Sequence, residues 1–93
     1  MKRAARVDRN QPEIVELFRK LGWTVLILSQ LKNCCDICVS KNGRTIMIEI
    51  KDGEKKPSQQ KLTEGEIKFK DNWQGEYALV NCIDQVIEIN KGA

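Results

Sequence analysis

Residues 36–51 read DICVSKNGRTIMIEIK, two apolar runs on either side of Asn42-Gly43. Asn-Gly in that setting is the strongest short-range signal for a two-residue type I′ hairpin, because both central residues take positive φ. The turn sets Lys41 against Arg44. Counting outward pairs Ser40 with Thr45, Val39 with Ile46, Cys38 with Met47, Ile37 with Ile48 and Asp36 with Glu49. Side chains alternate in period two. Ile37, Val39, Ile46 and Ile48 therefore share one apolar face, and Met47, Glu49 and Lys51 share the other.

The register opposes two carboxylates. Like charges directly across a strand pair are destabilising, with Cβ atoms only about 4.5–5.5 Å apart, so the pairing calls for a counter-ion. Mg²⁺ suits it, since that ion takes one or two protein carboxylates and keeps several waters. Lys51, two residues past Glu49, is placed to hold or activate an attacking water or to steady developing phosphorane charge. The pattern points to metal-assisted phosphodiester cleavage. The E-x-K string alone carries little, because it recurs at Glu54-Lys55-Lys56 and Glu66-Ile67-Lys68. The first recurrence falls in a polar loop. The second falls in an expected helix, where two residues turn side chains about 200° apart.

Upstream, Asn10 with Pro12 and Glu13 reads as a helix start with a capping box. Ile14, Leu17, Phe18 and Leu21 form its apolar stripe, and Gly22 ends it. Glu13 lies at the margin of that stripe, so capping and a place in the site are both open to it. Residues 23–29 read as a first strand and 30–34 as a polar loop. Asp52-Gly53 breaks the third strand. A second helix is expected from Pro57-Ser58 to about residue 70, a further strand over 76–80, and an edge strand or short terminal segment over 86–89. Trp73 and Tyr77 read as packing residues. The expectation is one α/β domain over residues 1–93, a small mixed β-sheet flanked by helices in the order α-β-β-β-α-β.

Asp36 followed by Glu49-Ile50-Lys51 at a strand end resembles the PD-(D/E)XK nuclease superfamily. Within it the chain is similar to small stand-alone VRR-NUC-type, Holliday-junction-resolvase-like nucleases of phages and prophages. The shared elements are Asn10-Gln11 with Glu13-Ile14-Val15, Gly22, Glu49 through Gly53, Pro57-Ser58-Gln59, Lys61-Leu62-Thr63, Glu66, and Trp73 with Gly75. Two departures stand out: Asn33-Cys34-Cys35 replaces the family's Gly-x-Pro before the aspartate, and Gln11 occupies the place where many relatives carry an acid.

The resemblance implies a restriction-endonuclease-like core and Mg²⁺- or Mn²⁺-dependent hydrolysis leaving 5′-phosphate and 3′-hydroxyl ends. Asp36, Glu49 and the Ile50 carbonyl would hold the metal, with Gln11 or Glu13 completing the site. Lys51 would orient and activate water, and Gln59 would approach the scissile phosphate. Ser29 and Lys32 would sit at the rim of the site. The implied substrate is branched or four-way DNA, read by shape more than by sequence. Symmetric cutting of a junction requires a homodimer. A monomeric flap, end or nicking nuclease would use the same residues. A non-catalytic DNA-binding protein would keep only the basic surface.

Composition bounds these readings. The net charge of +3 is mild, yet the basic residues cluster. Arg3, Arg6 and Arg9 lie on an arm over about residues 1–9, and Lys55, Lys56 and Lys61 follow the hairpin; with Lys32 these are the candidate phosphate contacts. Histidine is absent, which removes histidine-centred nuclease mechanisms. Of the four cysteines, Cys35 and Cys38 form a C-x-x-C on a strand, where residues three apart face opposite ways. With Cys34 and Cys82 they are expected to be free thiols, and no zinc is expected. No apolar stretch approaches the roughly 18 residues of a membrane span, and no apolar region follows the basic N-terminus. The expected setting is intracellular, the cytoplasm of a bacterial host by the phage or prophage resemblance.

Overall fold

The computed structural model describes residues 8–93; residues 1–7 of the arm, with Arg3 and Arg6, lie outside them. The described chain runs α1 (Gln11–Lys20), β1 (Thr24–Ile27), β2 (Ile37–Lys41), β3 (Arg44–Ile50), a 3-10 turn (Pro57–Gln59), α2 (Glu64–Asn72), β4 (Glu76–Val80) and α3 (Ile83–Lys91). The four strands form one sheet in sequence order. β1, β2 and β3 are antiparallel neighbours, whereas β4 joins β3 in parallel after the crossover through α2, as a parallel pair demands. The fold is α/β, with a mixed four-stranded sheet and three helices.

Turn chemistry sets the hairpin. Asn42 and Gly43 take φ of 52° and 81°, and the ladder runs from Lys41↔Arg44 to Ile37↔Ile48. Ile37, Val39, Ile46 and Ile48 are completely buried. They share one cluster with Ile14 and Phe18 of α1, Val86 of α3, and Ile50 and Val80. Burying each such side chain contributes about 1.5–3 kcal/mol. Trp23 meets Phe18 edge to face at 5.6 Å. α2 lies toward the opposite face of the sheet, where its Phe69 ring stands 6.4 Å from that of Tyr77.

Four local expectations are corrected. The ladder stops one residue short of Asp36, which sits in a bend and gives its N–H to Ile48 O (3.1 Å). Asn10 does precede α1, but its side chain does not cap the helix and Glu13 is exposed. The Asn10 amide is spent instead on the carbonyls of Lys51 (3.0 Å) and Asn81 (3.2 Å), tying α1 to the ends of β3 and β4. The segment from Pro57 makes only the 3-10 turn. The helix starts seven residues later because Thr63 and Glu66 form the true capping box, satisfying amides that otherwise lack partners. Residues 86–89 are helical: α3 turns Val86 fully into the core, and that packing outweighs the strand preference of valine and isoleucine.

The chain also passes very close to itself beyond β3. A Cβ on Gly53 would stand 2.6 Å from Asn81 O, the same carbonyl that accepts the Gly53 N–H at 3.1 Å. Only glycine permits that approach.

Candidate active site

Three pieces of chain deliver their polar groups to the end of β3. On the strand itself, alternation sends Glu49 and Lys51 to the face under α2 and Ile50 into the core. Beyond Ile50 the backbone is held by Lys51 N–H to Val80 O at 3.0 Å. Asp36 arrives from the bend before β2. Its carbonyl accepts from Leu28 N–H (2.8 Å), and its carboxylate Oδ2 accepts from Ile50 N–H (2.7 Å). The side chain thus supplies β3 with the acceptor that β2 no longer offers, which brings the carboxyl beside Glu49. Glu66 comes from the first turn of α2.

Glu49 is only 3% exposed and lies within hydrogen-bonding reach of the Asp36 and Glu66 carboxylates. Burial, followed by those two neighbours, pushes its carboxyl up to about 10, so it is protonated at neutral pH in the metal-free protein. Lys51 Nζ donates to Glu66 Oε1 at 2.8 Å. Burial works against the ammonium, but the hydrogen bond and the negative charge of Glu66 outweigh it and hold the lysine above its usual range. Lys51 is therefore a fixed cation. Glu66 shows the converse: burial would raise it, but the Lys51 ammonium and the Thr63 N–H (2.8 Å) hold it below the usual carboxylate range. Burial and the neighbouring Asp36 raise the Asp8 carboxyl.

These groups line a cleft of about 450 Å³. Asp8, Asp36, Glu49 and Glu66 supply its acids, Arg9, Lys51 and Lys55 its cations, and Gln59 and Thr63 its neutral polar groups. Two roomier hollows, about 540 Å³ along α2 and about 690 Å³ along α1, bring no two carboxylates together. Among the described residues, no group of three or more histidine, cysteine or acidic side chains is arranged to hold a metal ion. An ion held by two carboxylates and otherwise by water needs no such group of three.

Of the residues expected at the site, the structure gathers Asp36, Glu49 and Lys51, with Gln59 and Lys55 at the wall. Gln11 is buried at 4% exposure but does not reach the cleft. It donates to Ser29 Oγ (2.9 Å), which in turn donates to Asp36 O (3.3 Å), so it supports the backbone that carries Asp36. Glu13 is exposed and outside the lining. Arg9 is engaged by Glu54 (3.0 Å) and Asp52 (3.4 Å). Lys32, Lys56 and Lys61 are exposed and stand away from the cleft wall.

All four cysteines are free. Cys35 is buried, gives its Sγ–H to Ile37 O (3.2 Å) and is pushed up to about 12 by burial and by Cys34, which makes it a poor nucleophile.

Glu66 enters from sequence only as a shared element of the resemblance and a rejected E-x-K string, and Asp8 not at all; neither is placed in the site there. The Thr63-x-x-Glu66 spacing is a capping-box signature and could have placed Glu66 at a helix start. Asp8 carries no comparable local signal; it reaches the cleft through the turn that its carbonyl closes on Gln11 N–H (2.9 Å). No family model, curated protein or solved structure matches the chain.

Proposed function

We propose that the protein is a divalent-metal-dependent DNA endonuclease with a PD-(D/E)XK-type site on a restriction-endonuclease-like core. The observation that carries this reading is the meeting of Asp36, Glu49 and a charged Lys51 in one cleft at the end of β3. A carboxyl held neutral by burial and by two carboxylate neighbours fits a cation, because the ion would replace the proton and relieve the repulsion. Asp36 and Glu49 would hold it, with the Ile50 carbonyl adjoining. When bound, Mg²⁺ or Mn²⁺ supplies Lewis acidity and lowers the pKa of attacking water.

The chain's own groups do the rest. Lys51, kept charged by Glu66, orients the water and the scissile phosphate by donating hydrogen bonds instead of removing a proton. Glu66 anchors Lys51 to the first turn of α2. Lys55 and Gln59, at the cleft wall, offer phosphate contacts. Water oxygen bonds to phosphorus as the bond to the 3′ oxygen breaks; the attacking water gives up one proton to bulk solvent and the departing 3′ oxygen takes one from solvent, leaving the 5′-phosphate and 3′-hydroxyl ends that the resemblance implies. Two copies related by a two-fold axis would cut a four-way junction symmetrically.

The test is cleavage of linear, flapped and four-way DNA with Mg²⁺ or Mn²⁺ by the native protein and by Asp36→Asn and Lys51→Ala. Both substitutions should abolish cutting while leaving the circular dichroism spectrum unchanged. Cleavage that survives both would refute the site, and cutting only of flaps or ends by a monomer would replace the junction substrate.

A further inference from the structure

Tyr77 reads as a packing residue from sequence, yet the structure leaves its hydroxyl without a role. The oxygen is buried and has no hydrogen-bond partner among the described residues. Leaving a buried polar group unpaired is costly. The ring is fixed by its strand register opposite Met47 and by Phe69 of α2 at 6.4 Å. That register puts Tyr77 on the sheet face that carries Glu49, one pleat away, since Glu49 pairs with Leu79. Burial, and then the nearby Glu49, Glu66, Cys35 and Asp36, raise the phenol above its ordinary value. A buried, unpaired donor thus lies on the sheet face that carries Glu49.

Once a cation displaces the proton of Glu49, the three carboxylates do not need this donor equally. Asp36 already accepts from Ile50 N–H, and Glu66 from Thr63 N–H and Lys51 Nζ. Glu49 meets Asp36 and Glu66, which as carboxylates offer it no proton. We propose that Tyr77 is a positioning residue for Glu49: when Glu49 and Asp36 hold a divalent cation, the Tyr77 hydroxyl donates a hydrogen bond to the Glu49 carboxylate and fixes its orientation. The inference rests on the cation-binding reading above.

Mn²⁺ affinity, measured without DNA by the electron paramagnetic resonance of free Mn²⁺, tests it on the native protein, Tyr77→Phe and Glu49→Gln. A hydrogen bond to a charged group corresponds to roughly tenfold or more in affinity. Tyr77→Phe should bind Mn²⁺ about tenfold more weakly with an unchanged circular dichroism spectrum, and Glu49→Gln should not bind. Tyr77 is the sole tyrosine, so the near-ultraviolet phenol band of the native protein should shift as Mg²⁺ saturates the site. That signal decides the matter if the phenylalanine variant fails to fold. Native binding with an equally tight Tyr77→Phe, or a phenol band unmoved by saturating Mg²⁺, overturns the role of Tyr77 alone. Absence of Mn²⁺ binding by the native protein overturns the metal reading and this inference with it.

Discussion

Replacing Glu49 with glutamine should stabilise the metal-free protein, and the gain should depend on pH. Glu49 carries its proton to about 10 when folded, against an ordinary 4.5. The folded state therefore binds more protons than the unfolded chain throughout that window. Stability then falls as pH rises; the contribution is intact below pH 4.5 and is progressively lost above it. From pH 4.5 to 7 the loss amounts to roughly 3 kcal/mol, at about 1.36 kcal/mol per unit. Rearrangement of the Asp36 and Glu66 side chains would reduce it toward about 2 kcal/mol. Glutamine keeps the shape and never ionises. For a chain of this size each 1 kcal/mol moves Tm by about 4–8 °C, so Glu49→Gln should melt on the order of 10 °C above the native protein at pH 7, with the gap closing near pH 4.5. The assay is a pair of thermal melts by circular dichroism across that range with EDTA present. A gap that stays constant with pH, or a glutamine variant that is less stable at pH 7, would refute the claim that Glu49 is held neutral.

Three further outcomes follow from the same geometry. Mg²⁺ binding at pH 7 should release close to one proton, because the ion displaces the one on Glu49; calorimetry in two buffers of different ionisation enthalpy measures it, and a buffer-independent heat would contradict it. Gly53→Ala should cost about 1–3 kcal/mol, since the new methyl group meets Asn81 O at 2.6 Å and must push the two strand ends apart; urea denaturation reads the loss. Thr63→Ala should cost about 1 kcal/mol as an N-cap deletion and should also weaken cleavage, because the turn that holds Glu66 against Lys51 loosens; full activity in this variant would separate the helix start from the site.

The hairpin was legible because its determinants are local. Asn42-Gly43 fixes the turn, the turn fixes the register, and alternation then sorts the isoleucines from Glu49 and Lys51. The register fails only at Asp36, where a side chain replaces a backbone acceptor, and no periodicity encodes that exchange. The sequence does not announce α3 because Val86, Ile87 and Ile89 favour strands individually, while their use in a helix depends on the cover that α1 and the sheet provide. At the site, Asp36, Glu49 and Lys51 could be brought together on paper through one hairpin. Glu66 and Asp8 could not, since they reach the cleft through contacts with segments remote in sequence. The Asn10 amide was assigned to its own helix when its partners lie 41 and 71 residues away.

Glu66 Oε1 accepts both from the backbone that starts α2 and from Lys51, and α2 contributes no fully buried residue to the core. A helix with so little apolar anchorage opens at lower free energy than the sheet beneath it. When its first turn frays, the lysine loses its partner in the same event. The site is therefore divided between a rigid half on β3 and a half that works as a latch, and heating should release the latch before the sheet melts. Amide exchange at Glu66 and Ile67 would then follow the loss of cleavage with temperature, several degrees ahead of global unfolding.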